Sequence, residues 1–126
     1  KDIGMVAIPI HKEQHGYIIN SLLTVWGNAA IDLVRSGVAT PESIDKTWMI
    51  AAKSPIGPFG IFDVVGMRTA YNINKLWGEQ LNDEAALARA DFIDKQYIEK
   101  GKIGVESGEG VYKYPNPAYQ QTGFLN

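Results

Sequence analysis

The chain has 126 residues, of which 45% are hydrophobic and 21% charged, with 12 basic and 14 acidic side chains and a formal net charge of -2. That composition suits one globular domain able to bury roughly two thirds of its unfolded surface, and its interspersed charges leave no basic footprint for nucleic acid or an anionic membrane. There is no apolar run of about 18 residues to span a bilayer; with no cysteine, a disulfide scaffold and a thiolate metal site are excluded, and a cytoplasmic location is expected.

The start, Lys1-Asp2-Ile3-Gly4, has neither Met nor the profile of a signal peptide, so an origin inside a longer polypeptide is expected. Met5–Ile10 is short and β-like, with Pro9 confining it to an edge strand or extended arm. The polar stretch from His11 to Gly16 reads as a connector, which assigns residues 1–15 to the end of a preceding domain and residues 16–126 to a helical one. His11 and His15 read as surface histidines.

Five helices follow. From Tyr17 to Ser36, the residues Ile19, Leu22, Leu23, Trp26, Ala30 and Leu33 recur on one helical face. Ile18, Val25 and Ala29 widen it, so this helix is expected to be central. Its polar strip is Asn20, Thr24, Asn28, Asp32 and Arg35. Thr40-Pro41-Glu42 starts a second helix with a capping hydroxyl, a proline at the first turn and an acid at the positive dipole end. Its expected buried side is Ile44, Trp48, Ala51 and Ala52, and Pro55 stops it. Gly57-Pro58 opens a short third helix carrying Phe59, Phe62 and Val65. A fourth runs from Thr69 to about Gln80 with Ile73, Leu76 and Trp77 apolar. After the stop and cap at Asn82-Asp83, a fifth runs from Glu84 to Lys100 with Ala86, Ala90, Ile93 and Tyr97 on one face. The tail beyond is rich in glycine and turns. The expected fold is all-α: a bundle of about five helices with an N-terminal arm and a loop-rich tail.

Singly, these residues promise little chemistry. Asn20 reads first as a solvated or capping asparagine, and alternatively as an amide donating to a ligand carbonyl. The acids Asp32, Glu42, Asp45 and Asp63 read as solubilising residues on faces and caps. The run Gly104–Gly110 has neither the Lys-Ser/Thr ending of a phosphate loop nor a strand before it. With Glu106 and Glu109 inside, it reads as a tight turn that needs glycine.

Taken in order, the pieces resemble one family. Gly16-Tyr-Ile-Ile-Asn20, Gly37-Val-Ala-Thr-Pro-Glu-Ser-Ile-Asp45, Gly57-Pro-Phe59 with Asp63 and Gly66, and Gly101-Lys-Ile-Gly104 with Ser107, Gly108, Gly110 and Tyr112 are similar to four successive motifs in the C-terminal domain of 3-hydroxyacyl-CoA dehydrogenases, the 3-hydroxybutyryl-CoA dehydrogenase type included. His15 stands where many members have Pro, and Ser21 where many have Arg. The resemblance implies the helical fold shared with the C-terminal domain of 6-phosphogluconate dehydrogenase. It implies an oxidoreductase that converts 3-hydroxyacyl-CoA to 3-ketoacyl-CoA, with NAD bound by an N-terminal Rossmann domain that is absent from this chain. By the same token, this part covers the acyl-CoA and forms a homodimer, the base His and its Glu partner lie in the absent domain, and Asn20 orients the substrate acyl group. Phe59, Phe62, Ile73 and Trp77 are the expected dimer surface. Two other readings stay open: a dehydrogenase of a sugar acid or other hydroxy acid on the same fold, and a stand-alone helical dimerisation module.

Overall fold

The computed structural model of the chain describes residues 15–126, the side chains of residues 15–17 and Asn20 excepted. The expected arm Met5–Ile10, the connector with His11 and the side chain of His15 lie outside the described residues. The described part is helical and holds α1 (His15–Arg35), α2 (Pro41–Ala52), α3 (Pro58–Val65), α4 (Met67–Leu81) and α5 (Glu84–Ile93).

The expected ends hold where capping chemistry is local. Thr40 Oγ1 accepts from Ser43 N at 3.2 Å to cap α2, and Asp83 Oδ1 accepts from the Ala85 and Ala86 amides to cap α5. Asn82, in the left-handed region, ends α4, and the very short turn that follows folds α5 back against α4, the most extensively packed helix pair among the described residues. Two ends differ. The fourth helix begins at Met67, because Ile103 O in the tail accepts its amide at 2.8 Å, a partner no local pattern reveals. The α-helical part of the fifth ends at Ile93, and Asp94–Ile98 continue as a wider π turn that keeps Tyr97 and Ile98 packed on the core.

The buried faces differ more. On α1 only the second half reaches the core, through Ala30 and Ile31, while Ile19, Leu22 and Val25 are each more than half exposed. The helix is therefore central only at its C-terminal end, where it crosses α2, α3 and α5. On α2 the buried residues are Asp45 and Met49, with Trp48 exposed. On α4 the buried stripe is Met67, Ala70, Asn74 and Gly78, with Leu76 and Trp77 turned outward. The face expected on α5 holds: Ala86, Ala90 and Ile93 are buried.

The carboxylates correct the sequence reading most. Glu42 is exposed, but Asp45 and Asp63 are 0% and 1% exposed. Asp45 accepts the Phe59 amide at 2.8 Å, the Gly60 amide at 3.0 Å and the Tyr112 hydroxyl at 2.7 Å. It thereby satisfies the first free N–H groups of α3 across the fold. Asp63, within α3, accepts the Val111 and Tyr112 amides at 2.8 and 3.0 Å and the Tyr114 hydroxyl at 2.8 Å. Gly110 is required beside it, since a Cβ there would collide with the Asp63 carboxylate. The run Gly104–Gly110 is a turn, with Gly104 and Gly108 at φ +138° and +88°, as the glycine content predicts.

Burial pushes both aspartates above the usual carboxylate range, and their hydrogen bonds only partly oppose it. Asp45→Ala strands two amides and a tyrosine hydroxyl, and an unfolding-midpoint loss equivalent to about 2–4 kcal/mol is expected by denaturant titration. Because the folded chain holds this proton more tightly than the unfolded one, that loss is greatest below about pH 3.8 and shrinks as pH rises through the raised folded value.

Candidate functional site

A cavity of about 170 Å³ opens between α1, α3 and α4. Leu23, Ile61, Phe62, Val65 and Ile73 make its wall mostly apolar, and Asn28 and Asn74 interrupt it. Cavities of about 150 Å³ accept a benzene-sized guest, so the space suits a short apolar chain segment.

The two asparagines are held from behind. Asn74, 1% exposed, receives Arg89 Nη1 at its Oδ1 at 3.1 Å. Its Nδ2 donates to Ala70 O at 3.0 Å and to Asn28 Oδ1 at 3.2 Å. Arg89 is itself anchored by Asp32 Oδ1 at 3.0 Å from its Nε, and Arg35 holds the same oxygen at 2.9 Å. Asp32, expected to be merely solubilising, is thus the root of a relay from α1 through α5 to α4 and back to α1. A guanidinium has no acceptor atom, so the Asn74 atom facing it is oxygen, and the orientation of both amides follows from that single fact.

Asn20 lies on α1 on the strip shared with Thr24 and Asn28, and its side chain is outside the described residues. The relay was missed in the sequence although part of its signal is present: Asn20, Thr24, Asn28 and Asp32 recur every four residues. Asn74 was hidden by the assumption that a buried helix stripe is apolar. The glycine turn of the tail offers no phosphate cradle, because the Gly104, Gly108 and Gly110 amides donate to Glu109, Val105 and Tyr112 carbonyls and Glu109 stands beside them. That turn does not fit the phosphates of a dinucleotide. Among the described residues no cluster of His, Cys, Asp and Glu could hold a metal ion.

Arg89 is the removable link. Arg89→Met leaves the buried Asn74 Oδ1 without its donor, and a stability loss of about 1–3 kcal/mol is expected, read as a lower denaturant midpoint at unchanged slope.

Residues 16–114 match the family model described as 3-hydroxyacyl-CoA dehydrogenase, C-terminal domain. A probable 3-hydroxyacyl-CoA dehydrogenase of Caenorhabditis elegans is 34% identical over 90% of this chain and 36% of its own length. Among solved structures, a diketoreductase described as acting on dicarbonyl compounds is 46% identical, with a TM-score of 0.73 over 88% of this chain and 38% of that one. The (S)-3-hydroxybutyryl-CoA dehydrogenase of Ralstonia eutropha is 27% identical, with a TM-score of 0.65 over 77% of this chain and 34% of that one. The chain spans little more than a third of the length of such relatives. With four ordered motifs, a helical fold and a family match over residues 16–114, the chain belongs to the C-terminal domain family of the 3-hydroxyacyl-CoA dehydrogenases.

Proposed function

We propose that this chain is the substrate-covering and dimer-forming part of an enzyme that interconverts 3-hydroxyacyl-CoA and 3-ketoacyl-CoA with NAD. In this reading a Rossmann domain precedes residue 16 and holds the nucleotide, consistent with the lack of a phosphate cradle in the tail. The carrying observation is the apolar cavity between α1, α3 and α4, lying inside the family-matched segment. NAD, when bound, accepts the hydride from the 3-carbon. The work of this chain is to bind and orient: apolar side chains of α1, α3 and α4 take up acyl methylenes and exclude water, which strengthens every polar contact to the reacting group. Asn20, on the same strip of α1 as the cavity residues Thr24 and Asn28, is the proposed substrate-orienting amide.

A second reading is favoured by the 46% identity to the diketoreductase: an enzyme that acts on dicarbonyl compounds. The ratio of kcat/KM for acetoacetyl-CoA to that for a free diketo ester, measured with the complete protein, separates the two. A ratio well above one supports the CoA thioester, and a ratio below one supports the free dicarbonyl.

Asn20 is tested in the complete enzyme. A positioned donor of this kind contributes about 2.7–4 kcal/mol to the barrier, so Asn20→Ala is expected to lower kcat about a hundred- to thousandfold with NAD affinity unchanged. Asn20→Asp, which sets a negative charge beside a developing oxyanion, is expected to be at least as damaging. Near-normal turnover in both returns Asn20 to a helix-surface role.

Part of the surface that the sequence suggested for the homodimer remains available, with Trp77 exposed and Phe62 and Ile73 half-buried. Phe59 is 1% exposed and belongs to the core, which removes it from any interface. Leu22, Val25 and Leu33 also form an exposed apolar stripe on α1, and a groove of about 380 Å³ between α1 and α2, walled by Trp26, Leu33, Ile44 and Trp48, lies along it. Such a continuous apolar surface suits a second copy. The complete protein is expected to sediment as a dimer, and Leu22→Glu with Val25→Lys to sediment as a monomer. A monomeric parent protein rejects the dimer, and a variant that stays dimeric moves the interface off α1.

A further inference from the structure

The relay behind the cavity has a chemical consequence for what the cavity selects. Asn28 and Asn74 both line it. Asn74 is saturated: its oxygen takes Arg89, and its amide hydrogens go to Ala70 O and Asn28 Oδ1. Asn28 is not. Its oxygen is engaged by Asn74, while its Nδ2 has no hydrogen-bond partner among the described residues. Nor can the amide turn over to offer its oxygen instead, because that would set two N–H groups against each other. The orientation is enforced from a charge, Asp32, through Arg89, which is 14% exposed. The site therefore presents the Asn28 amide as a donor of fixed orientation on a mostly apolar wall that also carries Thr24, Trp26 and Thr69.

We propose that Asn28 is a specificity-determining residue that recognises a neutral hydrogen-bond acceptor, a keto or hydroxyl oxygen, on the distal part of the substrate chain, and that Asn74 and Arg89 position it. The inference rests on the acyl-CoA reading above. A carboxylate is a poor match, since no Lys or Arg lines the cavity and the positive charge of Arg89 is already neutralised by Asp32. Asn28 lies two helical turns from Asn20, about 12 Å along α1. If Asn20 meets the reacting end, the second acceptor belongs well down the chain rather than next to the 3-carbonyl. A guest of about benzene size fills the cavity, so the distal segment and its single oxygen are what it holds. A site built around such a donor discriminates against the analogue lacking the acceptor, because the donor is then left buried and unpaired.

The test uses the complete enzyme and NADH, with matched 3-oxoacyl-CoA pairs of about eight to twelve carbons, a range chosen to bridge that helical spacing. One member of each pair ends in a methyl and the other in a methyl ketone. The parent enzyme is expected to prefer the methyl-ketone member of at least one pair by about tenfold or more in kcat/KM. Asn28→Asp still accepts from Asn74 and so preserves the fold contact, but it has lost its donor. It is expected to abolish the preference, chiefly by raising KM for the methyl-ketone substrate. Asn28→Leu is expected to do the same. Arg89→Met is expected to weaken the preference, and combining it with Asn28→Asp to add nothing further, which a purely structural role for Arg89 would not produce. An active parent enzyme with no preference in any pair, or with a preference that survives Asn28→Asp and Asn28→Leu, overturns the inference and leaves the acyl-CoA reading standing. A parent enzyme inactive on every 3-oxoacyl-CoA overturns that reading first, and this inference with it.

Discussion

Two buried carboxylates tie the domain together. A carboxylate without water is costly unless its lone pairs are met by donors, and Asp45 and Asp63 meet theirs with backbone amides and tyrosine hydroxyls from other parts of the chain. Asp45 joins α2 to the start of α3. Asp63 joins α3 to the tail, and Tyr112 touches both, giving its hydroxyl to Asp45 and its amide to Asp63. The same contacts raise the hydroxyl of Tyr112 above its ordinary pKa, burial first and the Asp45 charge next. α3 is only eight residues long, too short to be stable on propensity alone, so its place depends on these two anchors.

That dependence carries over to the cavity. Pro58, Ile61, Phe62 and Val65 of α3 form one of its walls, and α3 is fixed in turn by a tail more than forty residues away in sequence. The tail also catches the first amide of α4 through Ile103, and α4 supplies Ile73 and Asn74 to the opposite side. A segment that reads as a turn-rich appendage is thus what sets the spacing of the two helices lining the cavity.

The second polar network works differently. The Asp32–Arg89–Asn74–Asn28 relay is half open to solvent at the Asp32 end and closed at Asn74, so its salt bridge adds little stability by itself. What it provides is direction: a charge at the surface decides which atom of a buried amide faces which neighbour. The exposed apolar residues of α1 have no comparable partner among the described residues. Leu22 and Val25 are exposed because, among the described residues, the first half of α1 contributes no buried side chain to the core.

Much of the architecture was legible in the chain because its causes are local. Thr40 before Pro41, Asn82-Asp83 between two helices, and glycines in the tail turn each act on neighbours within a few residues, so spacing alone exposes them. The family's four motifs were legible for the same reason, as short ordered strings. Which face of each helix is buried was not. Asp45, Asp63 and Asn74 look like solvent residues by type, and Leu22, Leu76 and Trp77 look like core. The positions of the three polar residues are set by donors and acceptors as far as 67 residues distant, and a buried polar group is stable only where such partners converge. Periodicity records how apolar a helix face is, whereas the partners that allow an aspartate inside a protein are assembled only when the chain has folded.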